Sequence, residues 1–195
     1  MDPWNIFVVG VGGQGVLVAS ELLALGFLRA GYDVKKSEVH GMAQRGGAVT
    51  SHVRCGPSVQ SPLIPEGEAD LMIAFESLEA LRWLSYLKKD GLLMVNRQEI
   101  KPTTVTSGRM HYPEDIYGLL ASHHRRTQFL DGLALARAAG NARSINSALL
   151  GAASSFLPVP ERIWKQVIRE TFPTKVLEAN LRAFGLGRNT TARTT

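Results

Sequence analysis

Cysteine is almost absent from this sequence: Cys55 is the only one in 195 residues. A lone thiol excludes an internal disulfide and a cysteine-rich zinc site. It also excludes an iron–sulfur cluster held by this chain alone, because such clusters usually take four thiolates. Long apolar runs are missing too. No stretch reaches the ~20 apolar residues of a membrane span, and the opening MDPWNIFVVG puts Asp2, not a basic segment, ahead of its short apolar run. These absences predict a cytoplasmic location and no membrane partner. The net charge is +5 and the pI is near 9.6, yet a basic cluster is lacking. Lys35-Lys36, Lys88-Lys89, Arg125-Arg126 and the pair Arg188 and Arg193 fall on separate predicted elements. Nucleic-acid binding needs charge gathered on one face, so it is not predicted.

Internal repeats and linkers are lacking as well, and 45% of the residues are hydrophobic. One core is therefore expected, in a single domain over 1–186, with 187–195 as a flexible polar tail. Along the chain, 6–9 reads as a strand closed by glycines. The segment 15–30 reads as a helix buried on more than one side, because only Ser20, Glu21 and Arg29 interrupt it. A second strand is predicted at 33–37, and 49–55 alternates like a half-exposed strand. Buried strands at 71–75 and 92–96 flank a helix at 78–87 and a turn at Asp90-Gly91. Beyond Pro102 helices dominate, at 114–122, 130–139, 145–156, 161–170 and 175–184, with Gly140, Pro158, Pro160 and Pro173 as stops. The β-α-β rhythm predicts an α/β fold: a three-layer Rossmann-like domain with a central mixed or mostly parallel sheet and a helical C-terminal part.

Gly10, Gly12 and Gly15 satisfy GxGxxG between the first strand and the first helix, where backbone amides at a helix start can hold a phosphate. The same glycines can serve only to turn and pack a βα unit tightly. A dinucleotide site also needs an acid about 20 residues further on to hold the ribose, and Glu38 is the only candidate. Gln14 is unusual in such a turn, and its amide is able to donate to a phosphate or a carbonyl. A stand-alone NAD- or FAD-binding Rossmann oxidoreductase is the alternative reading of this motif.

The segment Glu38 to Gly47, EVHGMAQRGG, gathers a carboxylate, an imidazole, an amide and a guanidinium among three glycines, and reads as a long functional loop. Arg45 offers a planar fork for phosphate or carboxylate, and His40 can move a proton or donate a hydrogen bond. The bland alternative is an ion pair between Glu38 and Arg45 that staples the loop.

Taken in order, VGGQGVL at 11–17, EVHGMAQRGG, SHVRCG at 51–56, SPLIPEGEADLMIAFESLEALR at 61–82, Val95-Asn96 and KVLEANLRAFGLG at 175–187 resemble the gamma subunit or domain of 2-oxoacid:ferredoxin oxidoreductases. Within that family they are most similar to small subunits that act on indolepyruvate. The resemblance covers roughly residues 5 to 185. It implies oxidative decarboxylation of a 2-oxoacid, such as an aryl pyruvate, to an acyl-coenzyme A, with thiamine diphosphate, magnesium, [4Fe–4S] clusters and ferredoxin. None of these can be placed on this chain: it has one cysteine, and no GDG segment followed by paired asparagines for thiamine diphosphate and magnesium. The resemblance therefore implies a large partner subunit that carries them, and no metal here. It assigns Gly12, Gly13, Gln14 and Gly15 to a phosphate, with coenzyme A as the ligand at a shared site. It assigns His40, Gln44, Arg45, Gly46 and Gly47 to the subunit contact, and no catalytic residue.

Three further features read either way. Asn146 occupies a helix start where the family also places asparagine, while it or Ser144 serves equally as an N-cap. Glu76 and Glu79 can face a site, but Glu79 and Arg82 are spaced to pair on a solvated helix face. Ser122 to Thr127, SHHRRT, has no family counterpart; its cationic patch can meet an acidic ferredoxin, coenzyme A phosphates or only water, and it reads as a solvated surface turn, since adjacent histidines without a third ligand make a poor metal site.

Overall fold

Alternation along the first strand divides the core in two. On β1 (Trp4–Val11) Ile6 and Val8 face one side of the sheet and Phe7 and Val9 the other, and all four are fully buried. The computed structural model describes residues 3–40, 47–109 and 111–191. After β1 come α1 (Val16–Arg29), β2 (Asp33–His40), β3 (Ala48–Gly56), β4 (Ala69–Ala74), α2 (Ser77–Arg82), a 3-10 turn at Leu84–Tyr86 and β5 (Leu87–Asn96). The second half holds α3 (Thr103–Thr106), α4 (Ile116–His123), β6 (Thr127–Leu130), α5 (Gly132–Ala138), α6 (Ile145–Ala153), α7 (Glu161–Thr171) and α8 (Thr174–Thr191). Among the described residues one six-stranded sheet forms, in the order β2-β3-β1-β4-β5-β6. β1, β4, β5 and β6 run parallel, whereas β3 lies antiparallel between β2 and β1.

Helices cover both faces. Leu22 and Phe27 of α1, Leu149 of α6, Trp164 of α7 and Phe184 of α8 close on Ile6, Val8, Val53, Ile73 and Met94. On the opposite face Ala80 of α2 and Ile116 and Leu120 of α4 meet Phe7, Val9, Met72 and Val95. The result is the expected three-layer α/β domain with a mixed sheet. The broad apolar surface of α1 is explained by its place between the sheet and α7, where it is buried on two sides.

Several local expectations are corrected. β3 is buried on both faces: Thr50 and His52 are only 4% and 6% exposed. The strand sits inside the sheet, and the Phe7 and Tyr86 rings cover the His52 side. Asp90-Gly91 lies inside β5, where a register shift between Ala69 and Leu71 of β4 absorbs the irregularity. β6 was not expected, because a four-residue edge strand shows too little periodicity to read. The SHHRRT segment is only partly solvated. His124 is buried with Nε2 2.8 Å from the Gly91 carbonyl, and the Arg126 guanidinium donates to the Asp90 carbonyl. The tail expected from residue 187 is instead the end of α8, which runs to Thr191. It is held there because Gly187 packs closely on the Ala148 carbonyl, while Arg188 donates to Ser154 Oγ at 2.8 Å and pairs with Glu161 at 3.3 Å.

Candidate functional site

A parallel sheet presents a crevice where successive connections leave toward opposite faces. Here α1 leaves β1 toward one face and α2 leaves β4 toward the other, so the crevice opens between the ends of β1 and β4. A cleft of 590 Å³ occupies that place. Its lining combines Gly12, Gly13, Gln14 and Gly15 with Gln98, Arg143 and Asn146, and among the described residues includes no carboxylate.

The turn after β1 is compact. Gly15 is the N-cap of α1 with φ +86°, and a Cβ there would run into the Asn146 amide. Both facts require glycine, and the second brings the start of α6 against the start of α1. The first turn of α1 contains no acidic residue. The orphan amides of that turn and the positive end of the helix dipole therefore lie at the glycine turn with no acidic side chain of the helix to meet them.

Gln14 closes the floor. Its Oε1 accepts from Val11 N–H at 2.7 Å, and its Nε2 donates to the Phe75 carbonyl at 3.0 Å and to Gln98 Oε1 at 3.1 Å. The expected donation from Gln14 to a ligand is thus replaced by donation to the protein, because Phe75 and Gln98 take both amide hydrogens. Asn96 mirrors it: Oδ1 accepts from Gly132 N–H at 3.0 Å, and Nδ2 donates to the Phe75 carbonyl and to Gln98 Oε1 at 3.1 and 3.2 Å.

Behind this floor Glu76 is buried and, among the described residues, accepts from Glu79 N–H at 2.8 Å, Ile100 N–H at 3.0 Å and Tyr112 O–H at 3.0 Å. Glu76 caps α2 and clamps the 96–100 segment instead of facing the cleft. Burial, reinforced by the Glu76 charge, raises the Tyr112 pKa well above its ordinary range. Glu79 does pair with Arg82, at 3.1 Å, but it is buried beneath the helix rather than solvated. Burial raises its carboxyl pKa. Asn146 lines the cleft, while Ser144 holds the N-cap position of α6 with no side-chain capping bond.

The loop expected to face the glycine turn begins and ends beside it. His40 pairs with Val49, and Ala48 pairs with Val11, so both ends of the β2–β3 connection lie at the same sheet edge as the cleft. Gly12 N–H donates to the Gly47 carbonyl at 2.9 Å. Gln44, Arg45 and Gly46 lie outside the described residues, as does the side chain of His40. Glu38 pairs with Lys36 at 2.9 Å on the edge strand, and Lys36 also holds Glu21 at 2.6 Å.

Residues 5–190 match the family described as pyruvate ferredoxin/flavodoxin oxidoreductase. The chain belongs to that family. One relative, indolepyruvate oxidoreductase subunit IorB of Thermococcus kodakarensis, is 43% identical over 192 residues, covering 96% of this chain and 95% of its own. The family fold recurs in the gamma subunit of a keto/oxoacid ferredoxin oxidoreductase from Geobacter sulfurreducens, with a TM-score of 0.73 at 21% identity over 97% of this chain and 99% of that one. It recurs again in the 2-oxoglutarate:ferredoxin oxidoreductase of Magnetococcus marinus, solved with 2-oxoglutarate, coenzyme A and succinyl-CoA. There the TM-score is 0.75 at 21% identity, over all of this chain and 32% of that one. Family membership sets aside the stand-alone dinucleotide enzyme, and the topology gives the reason. The antiparallel β3 stands beside β1 where a dinucleotide fold has its second parallel strand, which leaves Glu38 one strand further out.

Other family features are quieter here. Cys55 is buried and its thiol pKa is pushed far up by that burial, so it is no reactive thiolate. Among the described residues no three His, Cys, Asp or Glu side chains gather as a metal site, and no helix is long and apolar enough to cross a membrane. Gln98 and Arg143 escaped the sequence reading. The one available signal was that Gln98 follows the quoted Val95-Asn96 by two residues.

Proposed function

We propose that this chain is the small subunit of a thiamine diphosphate-dependent 2-oxoacid:ferredoxin oxidoreductase. The complex converts an aryl pyruvate such as indolepyruvate to its acyl-coenzyme A in the cytoplasm, and the chain works only when joined to a larger subunit. The substrate is taken from the 43% identity to an IorB subunit over nearly the full length of both chains. The observation that carries a role for this chain is the cleft at the end of β1, which among the described residues joins the start of α1 to Arg143 and has no carboxylate in its lining. Such a lining fits a phosphate.

In this reading thiamine diphosphate, magnesium and the [4Fe–4S] clusters belong to the larger subunit. Thiamine supplies carbanion stabilisation there, and the clusters pass electrons to ferredoxin. This chain binds, orients and shields. Gly13 and Gly15 hold a phosphate of coenzyme A against the start of α1, while Gly12, whose N–H is taken by the Gly47 carbonyl, and the Gln14 amide fix the turn. His40, Gln44, Arg45, Gly46 and Gly47 meet the larger subunit and wall the coenzyme A channel. Leu17 and Val18, on the first turn of α1, are 37% and 38% exposed beside the cleft, which suits a contact made apolar by a partner.

Co-purification tests the assembly: the chain should bring down a large subunit carrying thiamine diphosphate and iron–sulfur clusters, and a lone active chain refutes the reading. Arg45→Ala tests the loop. An assembled Arg45→Ala complex with unchanged turnover and unchanged apparent affinity for coenzyme A removes the loop from the site.

A further inference from the structure

The orientation of the Gln98 amide follows from two backbone donors that admit no ambiguity. Val11 N–H can only donate, so the atom of Gln14 that it meets is Oε1 and the other is the amide nitrogen. Gly132 N–H fixes Asn96 in the same way. Both amide nitrogens then converge on one atom of Gln98, at 3.1 and 3.2 Å, and that atom must be the acceptor Oε1. The backbone of Gln98 is pinned too: its carbonyl accepts from Ser77 N–H at 3.0 Å and Ser77 Oγ at 3.2 Å. With Oε1 turned into the floor, Nε2 is left for the cleft that Gln98 lines, and among the described residues no protein acceptor takes it. A partly exposed side chain held by this many bonds has lost the freedom that a merely solvated glutamine keeps.

We infer that Gln98 is a ligand-binding residue of the cleft, whose preset amide donates to a phosphoryl oxygen. The other side chains at that wall agree in polarity. Arg143 offers only donors and a positive charge, Asn146 sets its amide against Gly15 at the same wall, and among the described residues the lining has no carboxylate. An acceptor-rich anion is the ligand such a set selects. The inference rests on the reading that this cleft takes coenzyme A, and it adds a fixed donor from the segment after β5, beside the glycine turn.

Gln98→Glu is the discriminating variant. One carboxylate oxygen still accepts from Gln14 and Asn96, so the floor stays bonded, while the group facing the cleft changes from donor to anionic acceptor. Binding is measured on the assembled complex with coenzyme A and with pantetheine, which lacks every phosphate. We expect Gln98→Glu to keep the wild-type thermal midpoint, to weaken coenzyme A binding by about tenfold or more, and to leave pantetheine within about twofold. Gln98→Met, which loses the inward bonds, should lower the midpoint. A purely structural Gln98 predicts wild-type binding in Gln98→Glu, and that result overturns the inference. An equal loss for both thiols overturns it as well, since the contact then lies away from phosphate. If the wild-type complex binds coenzyme A and the variant binds it equally, only this inference falls. If the wild type binds no coenzyme A, the reading of the cleft falls with it.

Discussion

Gln14 and Gln98 lie 84 residues apart in sequence, and their side-chain amides meet at 3.1 Å on the floor of the cleft. The contact exists because β1, β4 and β5 are parallel neighbours, so the segments following β1 and β5 reach the same edge of the sheet on either side of Phe75. Gln14→Leu keeps the approximate volume but removes an acceptor from Val11 N–H and donors from the Phe75 carbonyl and Gln98 Oε1. Leaving part-buried groups unpaired should cost about 2–3 kcal/mol, read from urea unfolding of the purified chain. A loss near zero would mean that Gln14 does not hold Val11, Phe75 and Gln98 as described.

Gly26 and Trp164 make a second test. A Cβ on Gly26 would overlap the indole ring, and the ring is fixed because its Nε1 donates to the Val159 carbonyl at 3.1 Å. Gly26→Ala should therefore destabilise by about 1–3 kcal/mol in spite of the better helix propensity of alanine. Gly185 in α8 has open space where a Cβ would go. Gly185→Ala should stabilise, by up to about 1 kcal/mol. Opposite signs in the two melts are the expected outcome, and equal signs refute the packing argument.

His52 gives a pH dependence whose direction is set by burial. Its Nδ1 accepts from Ile64 N–H at 3.2 Å, so the folded protein holds the ring neutral, and burial lowers its pKa from the ordinary 6.5. The unfolded chain then takes up a proton more readily than the folded one. Stability from this group is complete above pH 6.5 and is lost as the pH falls from there toward the lowered folded value. His52→Asn retains an acceptor for Ile64 and does not titrate. Its thermal midpoint should fall less than that of wild type between neutral pH and about pH 5, the range of a histidine titration. Parallel curves would assign the acid sensitivity to other groups.

Much of this was legible along the chain. The strand–glycine turn–helix opening, the apolar girth of α1 and the breaks at Gly140, Pro158 and Pro173 are local patterns, carried by consecutive residues, and each marks a feature that the fold contains. The α/β class and the mixed sheet follow from them. β6 was illegible because four residues on a sheet edge leave no period to count. The double burial of β3 was illegible because an alternating strand looks the same at an edge as it does between two neighbours.

By itself, then, the sequence determined the order of the longer strands and helices, the glycine turn at 10–15, and the absence of any cluster held by its single cysteine. These depend on residue type and spacing alone. Only the tertiary structure decided which side chains face the cleft. It set Glu76 and Glu79 to buried capping and pairing, spent the Gln14 amide on the protein, brought Arg143 and Asn146 to the glycine turn, and left Gln98 as the oriented donor. Those assignments rest on hydrogen bonds between segments that only strand pairing and helix packing bring within reach, and no local pattern in the chain encodes such a distance.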